Sequence, residues 1–75
     1  MNATLIKTDG TKTILENPTF DDIQKAIGGY VAIAATVNDQ YLIVDEDGIL
    51  KNLEPNSTYP QYVGNVVIAD RGLFS

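Results

Sequence analysis

The stretch Gly28–Val44, GGYVAIAATVNDQYLIV, decides the fold. Gly28-Gly29 reads as the end of a preceding helix, because a left-handed cap favours glycine. Tyr30–Val37 (YVAIAATV) is nearly continuous apolar sequence. It is too short for a long helix and β-branched enough to predict a buried central strand. Asn38-Asp39 supplies a tight turn, and Tyr41–Val44 (YLIV) returns as the antiparallel partner. Both strands are apolar on both faces, so the fold must cover two sides of this hairpin.

Working upstream, one helix is available for that task. Thr19, after Pro18, is a good N-cap, and Asp21 and Asp22 fall in the first turn, where the helix dipole favours negative charge. Phe20, Ile23, Ala26 and Ile27 recur at helical spacing and predict one apolar stripe. Little more than two turns long, this helix needs a sheet beneath it. Before it, Ala3–Glu16 reads as a β-hairpin in which TLIKT and TKTIL flank an Asp9-Gly10 turn. A strict two-residue turn would set Lys7 against Lys12, a repulsive pair. A type I turn with a bulge at Gly10 instead pairs Lys7 with Thr11 and Ile6 with Lys12, and is preferred.

Downstream, Asp45–Gly48 (DEDG) predicts a charged turn, and Ile49–Leu53 either a short strand or a single helical turn. Pro55-Asn56 through Pro60 is loop, and Val63–Ala69 predicts an internal last strand. The order is β-β-α-β-β-β, an α+β fold in a single domain over residues 1–75, with one short helix packed on a mixed or antiparallel sheet. The helix covers one sheet face. Two covers are open for the other: Leu50, Leu53, Tyr59 and Tyr62 folding over it, or another protein chain, a homodimer included.

Composition narrows the chemistry. The chain has 75 residues, 44% hydrophobic and 20% charged, a globular balance too small for two cores. Cysteine and histidine are absent. Disulfides and thiolate metal sites are thereby excluded, and no cofactor is implied. No run reaches the roughly 18 apolar residues of a membrane span, and the N-terminus does not read as a signal peptide. A cytoplasmic location is the expectation, and there the N-x-T triplets at Asn2 and Asn56 carry no meaning. Five basic residues against ten acidic give a net charge of −5, and the cations are scattered. Direct binding of nucleic acid is therefore not expected.

The residues most used for acid–base and nucleophilic catalysis near neutral pH are missing, and neither Ser57 nor Ser75 sits in G-x-S-x-G. The expectation is a protein that is not an enzyme, with no catalytic residues. Asp45–Glu54 can be set against a calcium-binding loop, but the first ligand position falls on Ile43, in an apolar strand. An acidic turn that keeps the strand soluble is the preferred reading, with no metal. Tyr59, Pro60 and Tyr62 place two aromatics in one loop, where tyrosines often anchor partners. Leu73 and Phe74 pose a choice between docking on their own domain and docking on a neighbour. The candidate partner-binding residues are therefore Asp45, Glu46, Asp47, Tyr59, Tyr62, Leu73 and Phe74.

Two resemblances follow from these residues. The first 28 residues, a hairpin with a glycine turn and a capped helix, resemble the start of a ubiquitin-type β-grasp. The chain closes in Leu-Phe-Ser and not in diglycine, so a modifier's function does not follow. From about residue 20 to 69, Gly28-Gly29-Tyr30, Asp45–Gly48, Leu50-x-x-Leu53-x-Pro55-Asn56 and Gly64-Asn65-Val66-Val67-Ile68 stand in one order. That order resembles a family of small phage, plasmid and bacterial proteins filed as a domain of unknown function. Glu54 departs from it, standing where many relatives have proline. The resemblance implies a phage or mobile-element protein of the host cytoplasm that binds and inhibits a host protein, an anti-CRISPR or other anti-defence inhibitor. The alternative is a homo-oligomer that sequesters a small nucleotide signal at its subunit interfaces.

Overall fold

The computed structural model describes residues 1–74, and of Phe74 the backbone alone. In chain order it contains β1 (Asn2–Ile6), β2 (Lys12–Glu16), α1 (Phe20–Ile27), β3 (Val31–Val37), β4 (Gln40–Asp45) and β5 (Val66–Asp70), closed by a 3₁₀ turn over Arg71–Phe74. The five strands form one sheet in the order β2-β1-β5-β4-β3, antiparallel at every pairing.

The first hairpin follows its local chemistry. Gly10 takes φ +90°, open to glycine without a Cβ clash, and Ile6 stands opposite Lys12. Lys7 N–H donates to the Thr11 carbonyl at 2.9 Å, the bulged pairing expected. α1 is closed at both ends as its sequence predicts. The Thr19 side chain accepts from Asp22 N–H, the Asp22 carboxylate accepts from Thr19 N–H, and Gly28 is left-handed at φ +95°.

Ile23 and Ile27, one turn apart, are buried on the sheet among Ala3, Leu5, Ile43, Val67 and Ala69. Each contributes about 2 kcal/mol by burial. Phe20 does not join them and is 55% exposed. Ala26 packs half-buried beside them, while Phe20 at the start of so short a helix is left on the flank.

The last strand is internal, as expected, and this changes the place of the decisive stretch. β5 inserts between β1 and β4, so β3 is an edge strand and not the buried central one that its apolar run predicts. Ile33 is 55% and Val37 59% exposed. An apolar run reports fitness for a sheet, and the non-local pairing of β5 decides which strand is central. β5 also begins later than the sequence suggests, at Val66, because Gly64 turns to φ +81° with Leu53 packed close against it. Residues 46–52 form consecutive turns, with Lys51 N–H donating to the Asp47 carbonyl and Leu53 N–H to that of Gly48. A helical turn, rather than a strand, occupies Ile49–Leu53.

Candidate functional site

Strand registers assign the second face, away from α1, to Thr4, Ile6, Val66, Ile68, Leu42, Val44 and Ala32. Ile6 and Val66 are fully covered there. Their cover is the chain's own segment 54–64, so the sheet does not depend on another chain for this part of its second face.

The segment is fixed by Asn56, which is 0% exposed. Its Nδ2 donates to the carbonyls of Ile6 and Gly64 at 3.0 Å each, and its Oδ1 accepts from the N–H groups of Thr58 and Tyr59 at 3.0 and 3.1 Å. A buried amide is tolerated because its hydrogen-bonding capacity is met. Sequence reasoning placed Asn56 only in a loop. The legible signal was Pro-Asn followed by Ser-Thr, a pattern suited to an asparagine side-chain turn.

Beyond this pin, two clefts open on the second face at opposite ends of β3. One, of about 220 Å³, is lined by Ala32, Val44, Asp45, Glu46, Ile49 and Tyr62, among others. The other, of about 190 Å³, is lined by Val37, Leu42, Tyr59 and Ile68, among others. Tyr59 and Tyr62 are half-buried and wall the clefts. Leu50, expected as a possible cover, is 84% exposed on its turn and covers nothing.

The acidic turn divides into unlike parts. Asp45 is 6% exposed, which corrects the expectation of a solvated carboxylate. The β-pleat turns it inward, where Lys51 Nζ bonds it at 2.8 Å and Asp47 N–H donates to it at 2.8 Å. Burial pushes the Asp45 carboxyl up, but the Lys51 hydrogen bond, the Asp47 N–H and the Lys51 charge outweigh it and hold it below the usual carboxylate range. Its side chain is committed to the fold. Glu46 is exposed on the rim of the larger cleft, and Asp47 is half-buried beside it.

Glu46, Tyr59 and Tyr62 thus gather along β3. Leu73 does not: it packs against the core on the α1 side, docking on its own domain. The Phe74 side chain lies outside the described residues. None of these clefts, nor a third of about 310 Å³ lined by Thr8, Ile27, Leu53 and Asn65, is lined by lysine or arginine. Among the described residues no helix is long and apolar enough to cross a membrane.

The Domain of unknown function (DUF3846) family model matches residues 1–73. The chain belongs to the DUF3846 family. Its match begins at the first residue, so the DUF3846 domain includes the β1–β2 hairpin that lies before the segment carrying the sequence resemblance. No curated protein and no solved structure matches this DUF3846 chain.

Proposed function

We propose that this protein is a non-catalytic binding module that holds another protein through β3 and the two clefts beside it. The observation that carries the reading is the gathering of Glu46, Tyr59 and Tyr62 along a seven-residue apolar edge strand. Tyrosine provides contact area with a polar tip, and partial burial has already restricted its rotamers, so less entropy is lost on binding. The finer reading, inhibition of a host protein in antiviral defence by a phage-encoded factor, draws its support from the sequence resemblance. Sequestration of a nucleotide is less well supported, since phosphate recognition needs cations or convergent N–H groups and the three clefts hold no cationic side chain.

The test is affinity capture from bacterial lysate with the native protein, Val37→Lys in the second cleft and Ile14→Lys on the other edge. Both replaced residues are exposed on edge strands, so each variant should keep its stability within about 0.5 kcal/mol. Capture of the same protein by native chain and Ile14→Lys, lost with Val37→Lys, is the expected outcome. Equal capture by all three would sink the reading.

A further inference from the structure

The chemistry of β3 itself specifies the form of the partner, and this step rests on the binding reading above. Tyr30, just before β3, accepts at its carbonyl from Glu46 N–H at 2.9 Å. Opposed residues of an antiparallel ladder alternate between bonded and non-bonded pairs. The registers Val31↔Asp45 and Ile33↔Ile43 therefore fall on non-bonded pairs, and the N–H and C=O groups of Val31 and Ile33 point away from β4. β3 pairs with no other strand, so these groups form the outer margin of the sheet.

From Gly28 to Asn38 the sequence holds no charged residue and no proline, two of the usual guards of such a margin, and the one irregularity of β3, a bulge between Ile33 and Ala35, lies beyond the outward groups of Val31 and Ile33. The clefts lie on one face of it. Ala32 and Val44, which pair, line the first, and Val37 and Gln40, which pair, line the second. Val44 and Gln40 are four residues apart on β4, about 13 Å at the ordinary strand rise. A strand lying beside β3 would present side chains at i and i+4 to the two clefts.

Charge decides between a foreign strand and a second copy. The chain carries −5, with exposed Glu46 near one end of β3 and, near the other, exposed Asp39 and Asp70, of which Arg71, 3.9 Å from Asp39, offsets one charge and leaves that end negative. A second copy would bring the same negative charge to both ends. A segment with lysine or arginine at its ends would be drawn to them. We propose that β3 receives an extended segment of another protein as a sixth strand, with apolar side chains at i and i+4 in the clefts and basic residues flanking them. Main-chain hydrogen bonds to Val31 and Ile33 would supply affinity, and the clefts would supply selectivity.

The test uses synthetic nine-residue peptides of alternating valine and threonine closed by lysines or by glutamates. Binding is read by amide shifts of the ¹⁵N-labelled full chain. The lysine-closed peptide should shift and protect the Val31 and Ile33 amides. It should bind about tenfold more tightly than its glutamate counterpart at low salt, with the gap narrowing as salt rises. Ile33→Pro removes one outward N–H without removing a bond to β4, so it should fold, as its circular dichroism would verify, and lose the peptide. Val31→Pro repeats the test at the other outward N–H.

The proposal is overturned if neither peptide perturbs β3, if folded proline variants bind as the native chain does, or if the end charges make no difference. Concentration-dependent β3 shifts without peptide would overturn it in favour of a second copy. Lysate capture lost in Val37→Lys but kept in Ile33→Pro would remove strand addition and leave the binding module standing. Capture indifferent to both variants would remove the module itself.

Discussion

The sheet has two edges, β2 of five residues and β3 of seven, and they are built to opposite ends. β2 exposes Ile14 at 58%, β3 exposes Ile33 at 55%, so apolar exposure does not separate them. Charge does. β2 begins on Lys12 and closes on Glu16, and its far end is tied down by Asn17, whose Oδ1 accepts from the N-terminal ammonium and whose N–H donates to Asn2 Oδ1. β3 has no ionisable group along its length and two clefts beside it. An exposed edge invites pairing, and the contrast is between one edge guarded by charge and another that has no charge and is interrupted only by the bulge between Ile33 and Ala35.

The largest expected effect comes from dismantling the open side. Asn56→Ala would remove the pin and leave the buried carbonyls of Ile6 and Gly64 short of a donor, at a cost of about 3 kcal/mol. Denaturant unfolding measures that loss. Native-state hydrogen exchange should show the 56–64 segment opening first while β1–β2 amides keep most of their protection. Uniform loss of protection across both edges would mean that the two sides are not separable.

Next is Asp45→Asn, expected to cost about 2 kcal/mol near neutral pH through loss of a buried charge-assisted bond. The sign with pH follows from the direction of the shift. The folded pKa lies below the unfolded value of 3.8, so the contribution is present above that value and is lost as pH falls through the folded pKa. Stability of the native chain should therefore drop in acid more steeply than that of Asp45→Asn. Parallel acid titrations of the two would contradict the assignment of the bond.

The smallest effect sharpens the contrast. Lys12→Thr with Glu16→Thr should alter stability by no more than about 0.5 kcal/mol. It should, however, give β2 a tendency to pair, visible as concentration-dependent amide shifts along β2. If the doubly replaced edge stays as inert as the native one, charge is not what guards it.

The legible parts of the fold were those fixed by neighbours in sequence. Asp9-Gly10 dictated the bulged hairpin, and Thr19 with Gly28 bounded the helix, because each choice is made within a few residues. The position of β3 was not legible. It depends on β5, some thirty residues later in the chain, entering between β1 and β4. Of the candidate site, Glu46, Tyr59 and Tyr62 were found through residue type and loop placement. Asp45 was misjudged because adjacent residues of a pleated strand end point in opposite directions, and Glu46 is turned outward where Asp45 is turned inward. Asn56 was missed because its burial is created by atoms from β1 and the β5 approach.

The fastening of the tyrosine-bearing loop has one more consequence. Apart from the Asn56 amide, its hydrogen bonds are made by main chain: Ser57 N–H to the Thr8 carbonyl, Thr58 and Tyr59 N–H to Asn56, and Tyr62 N–H to the Tyr59 carbonyl. Main-chain groups are common to nearly every residue type. The exposed side chains of Ser57, Thr58, Pro60 and Gln61 are thus nearly uncoupled from the architecture that carries them, unlike half-buried Tyr59 and Tyr62, so these positions can change their vocabulary while the grammar of the domain stays fixed.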